Sequence, residues 1–229
     1  MANTKREFIP NQVFVGLPWK TVRPKYDKII ARLGKKFPLH FTIVGRDDGI
    51  DAVNLFQKIK ERISSSSYAI FDATGGNANV SLEYGYAEGI AVPRAIFLSA
   101  RKAAQKQSAG SPIISDLLGM RRVQYKTDKT LGTELQKLCR DHDYTKRFEK
   151  ALTSAFKGMS KGTKKRNRAL AIKLIRALDS VPVVRRSALV QHLQAQAYTE
   201  REVDSLLKKL HNSGVLKCSV GKYSEAYIA

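Results

Sequence analysis

At 229 residues the chain has room for one large domain or two unequal ones, and an apolar share of 43% suffices for a packed core. Its 41 Lys and Arg against 20 Asp and Glu leave a net charge of +21, which excludes a neutral, self-contained globule and points to an anionic partner. Two cysteines, Cys139 and Cys218, are too few for a disulfide framework and match no metal-ligand spacing, so a reducing compartment fits best. No apolar stretch follows the basic N-terminus and no run of 18 apolar residues occurs, so the chain reads as soluble, cytoplasmic and without a membrane partner. The charge is uneven: residues 156–229 hold 15 basic and 5 acidic side chains, a denser positive footprint than the rest.

The first 157 residues alternate short apolar runs with amphipathic stretches, the sequence form of βαβ units. Residues 13–16, 41–44, 68–71, 95–98 and, more weakly, 123–125 read as strands. Between them, 23–36 (Tyr26, Ile29, Ile30, Leu33), 55–63 (Leu55, Ile59, Ile63) and 80–91 read as helices, and 131–156 closes the domain as one or two more. Strands apolar throughout imply a parallel sheet covered on both faces, and five of them predict an α/β, flavodoxin-like five-stranded parallel sheet for residues 1–157.

Residues 158–167 are rich in Gly, Ser and like charges, and read as a basic linker or helix lead-in. Its cluster Lys164, Lys165, Arg166 is either a solvated tract or an arm for phosphates. From residue 168 the helical period returns through Leu170, Leu174, Ile175 and Leu178. Residues 187–194 form a short helix, and Thr199 with Glu202 makes a capping box for a helix over 200–212. Residues 215–228 read as a hairpin with its turn at Gly221-Lys222. Three helices and a terminal hairpin predict a small winged helix-turn-helix domain over 168–229. Candidate nucleic-acid contacts there are Arg185, Arg186, Arg201, Lys208, Lys209, Lys217 and Lys222. Glu200, Glu202 and Asp204 on the same helix argue against simple operator reading, and a winged helix used for protein contact is the competing interpretation.

The most specific stretch runs Phe71-Asp72-Ala73-Thr74-Gly75-Gly76-Asn77-Ala78-Asn79-Val80-Ser81-Leu82-Glu83-Tyr84-Gly85-Tyr86-Ala87. A strand ends in Asp72, a Gly-rich turn follows, and a helix opens near Asn79 and carries Glu83. Open α/β sheets bind ligands at the carboxyl ends of their strands. Two carboxylates at such a mouth suit chemistry at a ribose, one holding hydroxyls and the other stabilising or attacking a cationic anomeric carbon. Plainer roles stand beside these: a carboxylate near a helix start favours the dipole, Asp72 fits a turn or cap, Asn77 and Asn79 fit caps, and Gly75 and Gly76 fit a tight turn.

This stretch resembles the Asp-x-Thr-x-x-Asn-x-Asn-Val-x-x-Glu-x-Gly-x-Ala pattern of nucleoside 2-deoxyribosyltransferase-like and related TIR-like proteins. Phe14-Val15-Gly16-Leu17-Pro18-Trp19 is similar to that family's first strand and substrate loop, and residues 111–125 to the segment before its last strand. The resemblance implies cleavage or exchange of N-glycosidic bonds in nucleosides, nucleotides or NAD, with NAD a substrate and no resident cofactor or metal. It implies that Glu83 is catalytic with Asp72 beside it, and that Gly16, Leu17, Pro18, Trp19, Gly75, Gly76, Asn77 and Asn79 contact the substrate. Members of this kind occur in bacterial anti-phage systems, including retron effectors that join such a domain to a winged helix. Tyr84 departs from the usual Leu and Ala78 from the usual Pro, and Tyr84 faces either core or pocket. Asp47, Asp48 and Asp51 are open candidates for a further carboxylate. Trp19, read as exposed, either stacks on a base or packs on the core.

Three functions compete: a glycosidase or glycosyl transferase regulated through nucleic acid, a nucleotide-sensing DNA-binding regulator, and an adaptor in a nucleoprotein complex. The carboxylate pair favours the enzyme. A homo-oligomer or assembled complex is expected, because residues 101–112, polar and Gly/Ser-rich, read as a loop at the mouth of the site that a second subunit or partner would cover.

Overall fold

The computed structural model describes residues 7–19, 22–44, 52–100, 122–179, 184–219 and 222–225. The chain divides into two units, one of residues up to 32 with 41–138, the other of 33–40 with 139–228.

In the first unit the order is β1 (Ile9–Gly16), α1 (Arg23–Gly34), β2 (His40–Thr42), α2 (Ala52–Ser64), β3 (Ser66–Asp72), α3 (Ala78–Gly89), β4 (Arg94–Ser99), β5 (Arg122–Tyr125) and α4 (Asp128–Asp141). The strands form a five-stranded parallel sheet in the order β2-β1-β3-β4-β5, a flavodoxin-like α/β arrangement in which the winding direction reverses between β1 and β3. Gly16 pairs in register with Phe71, so the reversal point lies where β1 ends beside β3. Phe14, Phe71, Ile96 and Leu98 from the sheet pack with Ile59 and Ile63 of α2 and Val80, Tyr84 and Ala87 of α3. Each such large apolar side chain contributes about 1.5–3 kcal/mol when fully buried. Along α1, Tyr26, Ile29 and Leu33 are buried at the spacing of one helix face.

The first strand begins four residues earlier than its apolar run. Asn11 and Gln12 are buried within it, and the Gln12 amide donates to the hydroxyls of Ser65 and Ser66 at 3.0 Å each. A buried amide satisfied by side chains is structurally sound but looks like a loop in the sequence.

The second unit contains α5 (Asp143–Ala155), α6 (Lys161–Asp179), β6 (Val184–Arg185), α7 (Arg186–Gln194), α8 (Glu200–Asn212), β7 (Leu216–Ser219) and β8 (Lys222–Glu225). The three strands make an antiparallel sheet in the order β6-β8-β7. The division at 138/139 precedes the one expected at 157, because α5 packs against α8. Residues 161–167, expected as linker, are the first turns of α6, since Lys and Arg are good helix formers and exposure leaves their charges solvated. The capping box at α8 is present: Thr199 Oγ1 accepts from the Glu202 amide while Glu202 Oε2 accepts from the Thr199 amide at 2.8 Å. Among the described residues, no helix is long and apolar enough to cross a membrane.

Candidate functional site

The turn after β3 is shaped by two glycines with positive φ, Gly75 at 86° and Gly76 at 64°. A side chain at Gly75 would meet nothing within 4 Å, so backbone conformation rather than crowding requires glycine there. Asn77 then caps α3, its Oδ1 accepting from the amides of Asn79 at 2.9 Å and Val80 at 3.3 Å. The helix therefore starts at Ala78, with Asn77 as its cap rather than a helical residue. Asn79 is exposed in its first turn.

Glu83 lies in the second turn of α3, and no acidic residue occupies the first. The dipole effect is confined to the terminal turn, so it does not account for this carboxylate. The side chain reaches toward the end of β1: a Cβ added to Gly16 would overlap Glu83 Oε2 and come within 2.8 Å of Phe71. Oε2 is buried and has no hydrogen-bond partner among the described residues. Burial pushes the carboxyl pKa up to about 7. Gly16 is fully covered, Pro18 is buried and Leu17 is half-buried. A desolvated, unpartnered carboxylate thus rests against the β1 terminus at the point where the sheet reverses its winding, the place such sheets use for ligands.

Asp72 is placed differently from the expectation. Its side chain is fully buried, with Oδ2 accepting from the Tyr26 hydroxyl at 3.0 Å and the Tyr125 hydroxyl at 2.8 Å, and Oδ1 accepting from the Thr74 amide at 2.9 Å. Thr74 Oγ1 in turn accepts from the Ser99 amide at 2.9 Å. Burial raises the Asp72 pKa, while these hydrogen bonds to its oxygens act the other way. Consecutive residues of a strand point to opposite faces: Phe71 enters the cluster with α2 and α3, whereas Asp72 turns toward Tyr26 of α1. Phe71, beside Gly16 and Glu83, and Asp72 thus leave β3 on opposite faces. Asp72 ties together α1 and the ends of β3 and β5. The tyrosine clamp is absent from the sequence reading, although a tyrosine on the apolar face of a helix signals a buried hydroxyl in need of a partner.

Trp19, expected to be exposed, is half-buried, and the Arg23 guanidinium covers its ring 3.3 Å from the centroid. Tyr84 is core: it meets Phe71 edge-on at 5.5 Å and the Arg94 guanidinium lies 5.0 Å from its centroid. Asp47, Asp48, Asp51 and residues 101–121, with the loop expected over the site, lie outside the described residues. Among the described residues, no group of three or more His, Cys, Asp or Glu is placed to hold a metal.

The basic candidates of the second unit fall into two sets. Arg166 donates to Glu202 at 2.8 Å and to the Ala197 carbonyl at 3.0 Å, and, with the cap at Thr199, holds the Glu202 pKa down at about 2. Arg186 donates to Glu200 at 2.6 Å and to Asp204 at 2.7 Å, and Lys209 to the Ala155 carbonyl at 2.9 Å. These three serve the unit itself, and the two arginines balance the acidic start of α8. Lys164, Lys165, Arg185, Arg201 and Lys208 are exposed. Lys217 and Lys222 lie on β7 and β8.

No family model and no curated protein matches the chain. Among solved structures, a 2-deoxyribosyltransferase from Leishmania mexicana is similar over 56% of this chain and 98% of its own, at 16% identity and a TM-score of 0.44. A CMP N-glycosidase from Clostridium botulinum is similar over 56% of this chain and 98% of its own, at 12% identity and a TM-score of 0.36.

Proposed function

We propose that the first unit breaks or exchanges an N-glycosidic bond of a nucleoside, a nucleotide or NAD at Glu83. The observation that carries the reading is the half-buried Glu83 carboxylate, its Oε2 buried without a partner and seated on Gly16 at the β1/β3 reversal. A structural carboxylate with that much lost hydration is normally hydrogen-bonded, as Asp72 is; one left without such bonds is poised for something that arrives. In its ionised form Glu83 attacks the anomeric carbon, forming a C–O bond while the C–N bond breaks and its electron pair leaves with the base; nicotinamide departs neutral, whereas a purine or pyrimidine takes up a proton from water. Water in a hydrolase, losing a proton as it attacks, or a second base in a transferase then displaces the Glu83 carboxylate from that carbon. The apolar wall of Phe14 and Phe71 keeps the carboxylate poorly solvated until substrate replaces water.

The second unit is read as a winged helix that binds nucleic acid. The support is its element order, helix-strand-helix-helix-strand-strand with β8 between β6 and β7, together with its surplus of positive charge. A glycosidase acting on a common nucleotide is harmful unless gated, and a nucleic-acid-binding unit on the same chain supplies the gate. The corresponding role is that of a toxin in anti-phage defence, of the retron kind or similar, active as an oligomer or in a nucleoprotein complex. Incubation of the protein with NAD, nucleotides and nucleosides, with and without nucleic acid, followed by mass spectrometry, tests the reading. Released free base is the expected product. Binding of a nucleotide without any released base would favour the sensing regulator instead.

A further inference from the structure

Within the second unit, α5 and the turn after α8 enclose a groove of about 380 Å3. Tyr144, Ala151 and Val215 supply its apolar part, Arg147 and Lys150 its charge, and Ser154 and Ser213 its hydroxyls. Residues 147, 150, 151 and 154 come to one side because they recur at the i, i+3, i+4, i+7 spacing of one helix face. No carboxylate lines the groove, and among the described residues none pairs with Arg147 or Lys150. Three arginines of the unit are opposed: Arg166 by Glu202, Arg168 by Glu149, Arg186 by Glu200 and Asp204. Two cations left unopposed in a concavity focus positive potential there, and adjacent hydroxyls add neutral hydrogen-bonding groups.

We infer that this groove holds phosphates of a nucleic-acid strand, so that the unit grips nucleic acid by its backbone through α5 and not by reading bases with α8. The inference rests on the nucleic-acid reading above and locates it. The chemistry fits a phosphodiester: a guanidinium and an ammonium on one helix face for the charge, and hydroxyls beside them. A strand rather than an isolated phosphate matches the run of exposed lysines that follows α5 in the chain, Lys157, Lys161, Lys164 and Lys165. The alternative face is weak. The first turns of α8, which would reach base edges, carry Glu200, Glu202 and Asp204, and Arg166 and Arg186 near them pair with those acids.

The test compares two charge-matched variants of the full chain, Arg147→Glu with Lys150→Glu, and Arg201→Glu with Lys208→Glu. Binding of labelled single-stranded DNA oligonucleotides of two unrelated sequences is followed by fluorescence anisotropy across a salt series, with circular dichroism confirming that each variant is folded. The groove variant is expected to bind both sequences at least tenfold more weakly, with a salt slope lower by about 1.4, roughly 0.7 for each phosphate contact removed from a single strand. The α8 variant is expected to stay within about threefold of the unsubstituted protein. Equal losses in both variants, a loss confined to the α8 variant, or a strong preference for one sequence would overturn the inference. Displacement of the oligonucleotide by micromolar AMP would also overturn it, in favour of a free phosphate monoester. Absence of oligonucleotide binding by the unsubstituted protein, even at low salt, would remove the nucleic-acid reading and the groove assignment together. Should the double glutamate variant not fold, Arg147→Gln with Lys150→Gln replaces it, with a loss of at least threefold expected.

Discussion

The carboxylate of Glu83 rests on the backbone of Gly16, the last residue of β1, with no room between them for a single carbon. Gly16→Ala is therefore expected to displace Glu83 and Phe71 together. A misplacement on the order of 1 Å costs about 100-fold in rate when the displaced group is part of the reacting geometry. Base release should fall by about that factor, while the crowding at Phe71 lowers stability by about 1–3 kcal/mol. Parallel measurement of activity and thermal melting separates the two effects, and an unchanged rate in the folded variant would show that Glu83 does not act from this position.

The same carboxylate makes stability depend on pH in an unusual direction. Its folded pKa of about 7 lies above the ordinary value for an unfolded chain, about 4.3. Between these values the folded state binds more protons than the unfolded one, so stability falls as pH rises from about 4.5 to 7. Glu83→Gln removes this dependence and should raise the melting temperature at pH 8, with little change at pH 4.5. Because a tenfold difference in proton affinity is worth about 1.4 kcal/mol, the gain at pH 8 is on the order of 3–4 kcal/mol. A melting curve at pH 8 that is unchanged or lower in Glu83→Gln contradicts the account of a desolvated carboxylate.

Catalysis should run against stability. An ionised Glu83 is needed for attack at the sugar, so kcat/KM should climb with pH through an apparent pKa near 7 and level off above it. An ascending limb centred near pH 4.5, the ordinary carboxylate range, would place the reacting carboxylate in water.

Asp72 and its tyrosines should behave as structure. Tyr125→Phe removes one hydrogen bond to a buried carboxylate and is expected to cost about 1.5–3 kcal/mol, and Asp72→Ala, which strands both hydroxyls, about 3 kcal/mol or more. Chemical denaturation measures the first quantity. In folded Tyr125→Phe protein, kcat should stay within a few-fold of the unsubstituted value.

Legibility in the sequence differs from residue to residue. The five strands and the placement of Glu83 beyond the Gly-rich turn can be read there, because apolar runs and turn residues are local signals. The start of β1 cannot, since Asn11 and Gln12 mimic a loop until Ser65 and Ser66 are brought to the Gln12 amide by parallel pairing. Strand β6, two residues long, has no periodicity to detect. The partners of Asp72 are not legible, because the alternation of the strand sends Phe71 and Asp72 to opposite faces and brings Asp72 to Tyr26, 46 residues away in sequence. The arginines 166 and 186 look available for phosphates because their partners, on α8, are distant in sequence and adjacent in space.

The capping box of α8 gives a separate check on the second unit. Thr199→Ala removes the acceptor for the Glu202 amide and a donor to its carboxylate, and should cost about 1 kcal/mol. A loss well below that in a denaturant titration would mean that α8 is set by packing of Val203, Leu206, Leu207 and Leu210 alone.

The central claim is that Glu83 performs the bond exchange at the sugar, and the most direct measurement is base release by Glu83→Gln beside the unsubstituted protein. Both proteins would be shown to be folded, and both incubated with the same panel of NAD, nucleotides and nucleosides, with free base counted by mass spectrometry. The account predicts release by the unsubstituted protein and a loss of at least about 1,000-fold in Glu83→Gln, since an amide cannot form the glycosyl ester. Undiminished release by folded Glu83→Gln would contradict it.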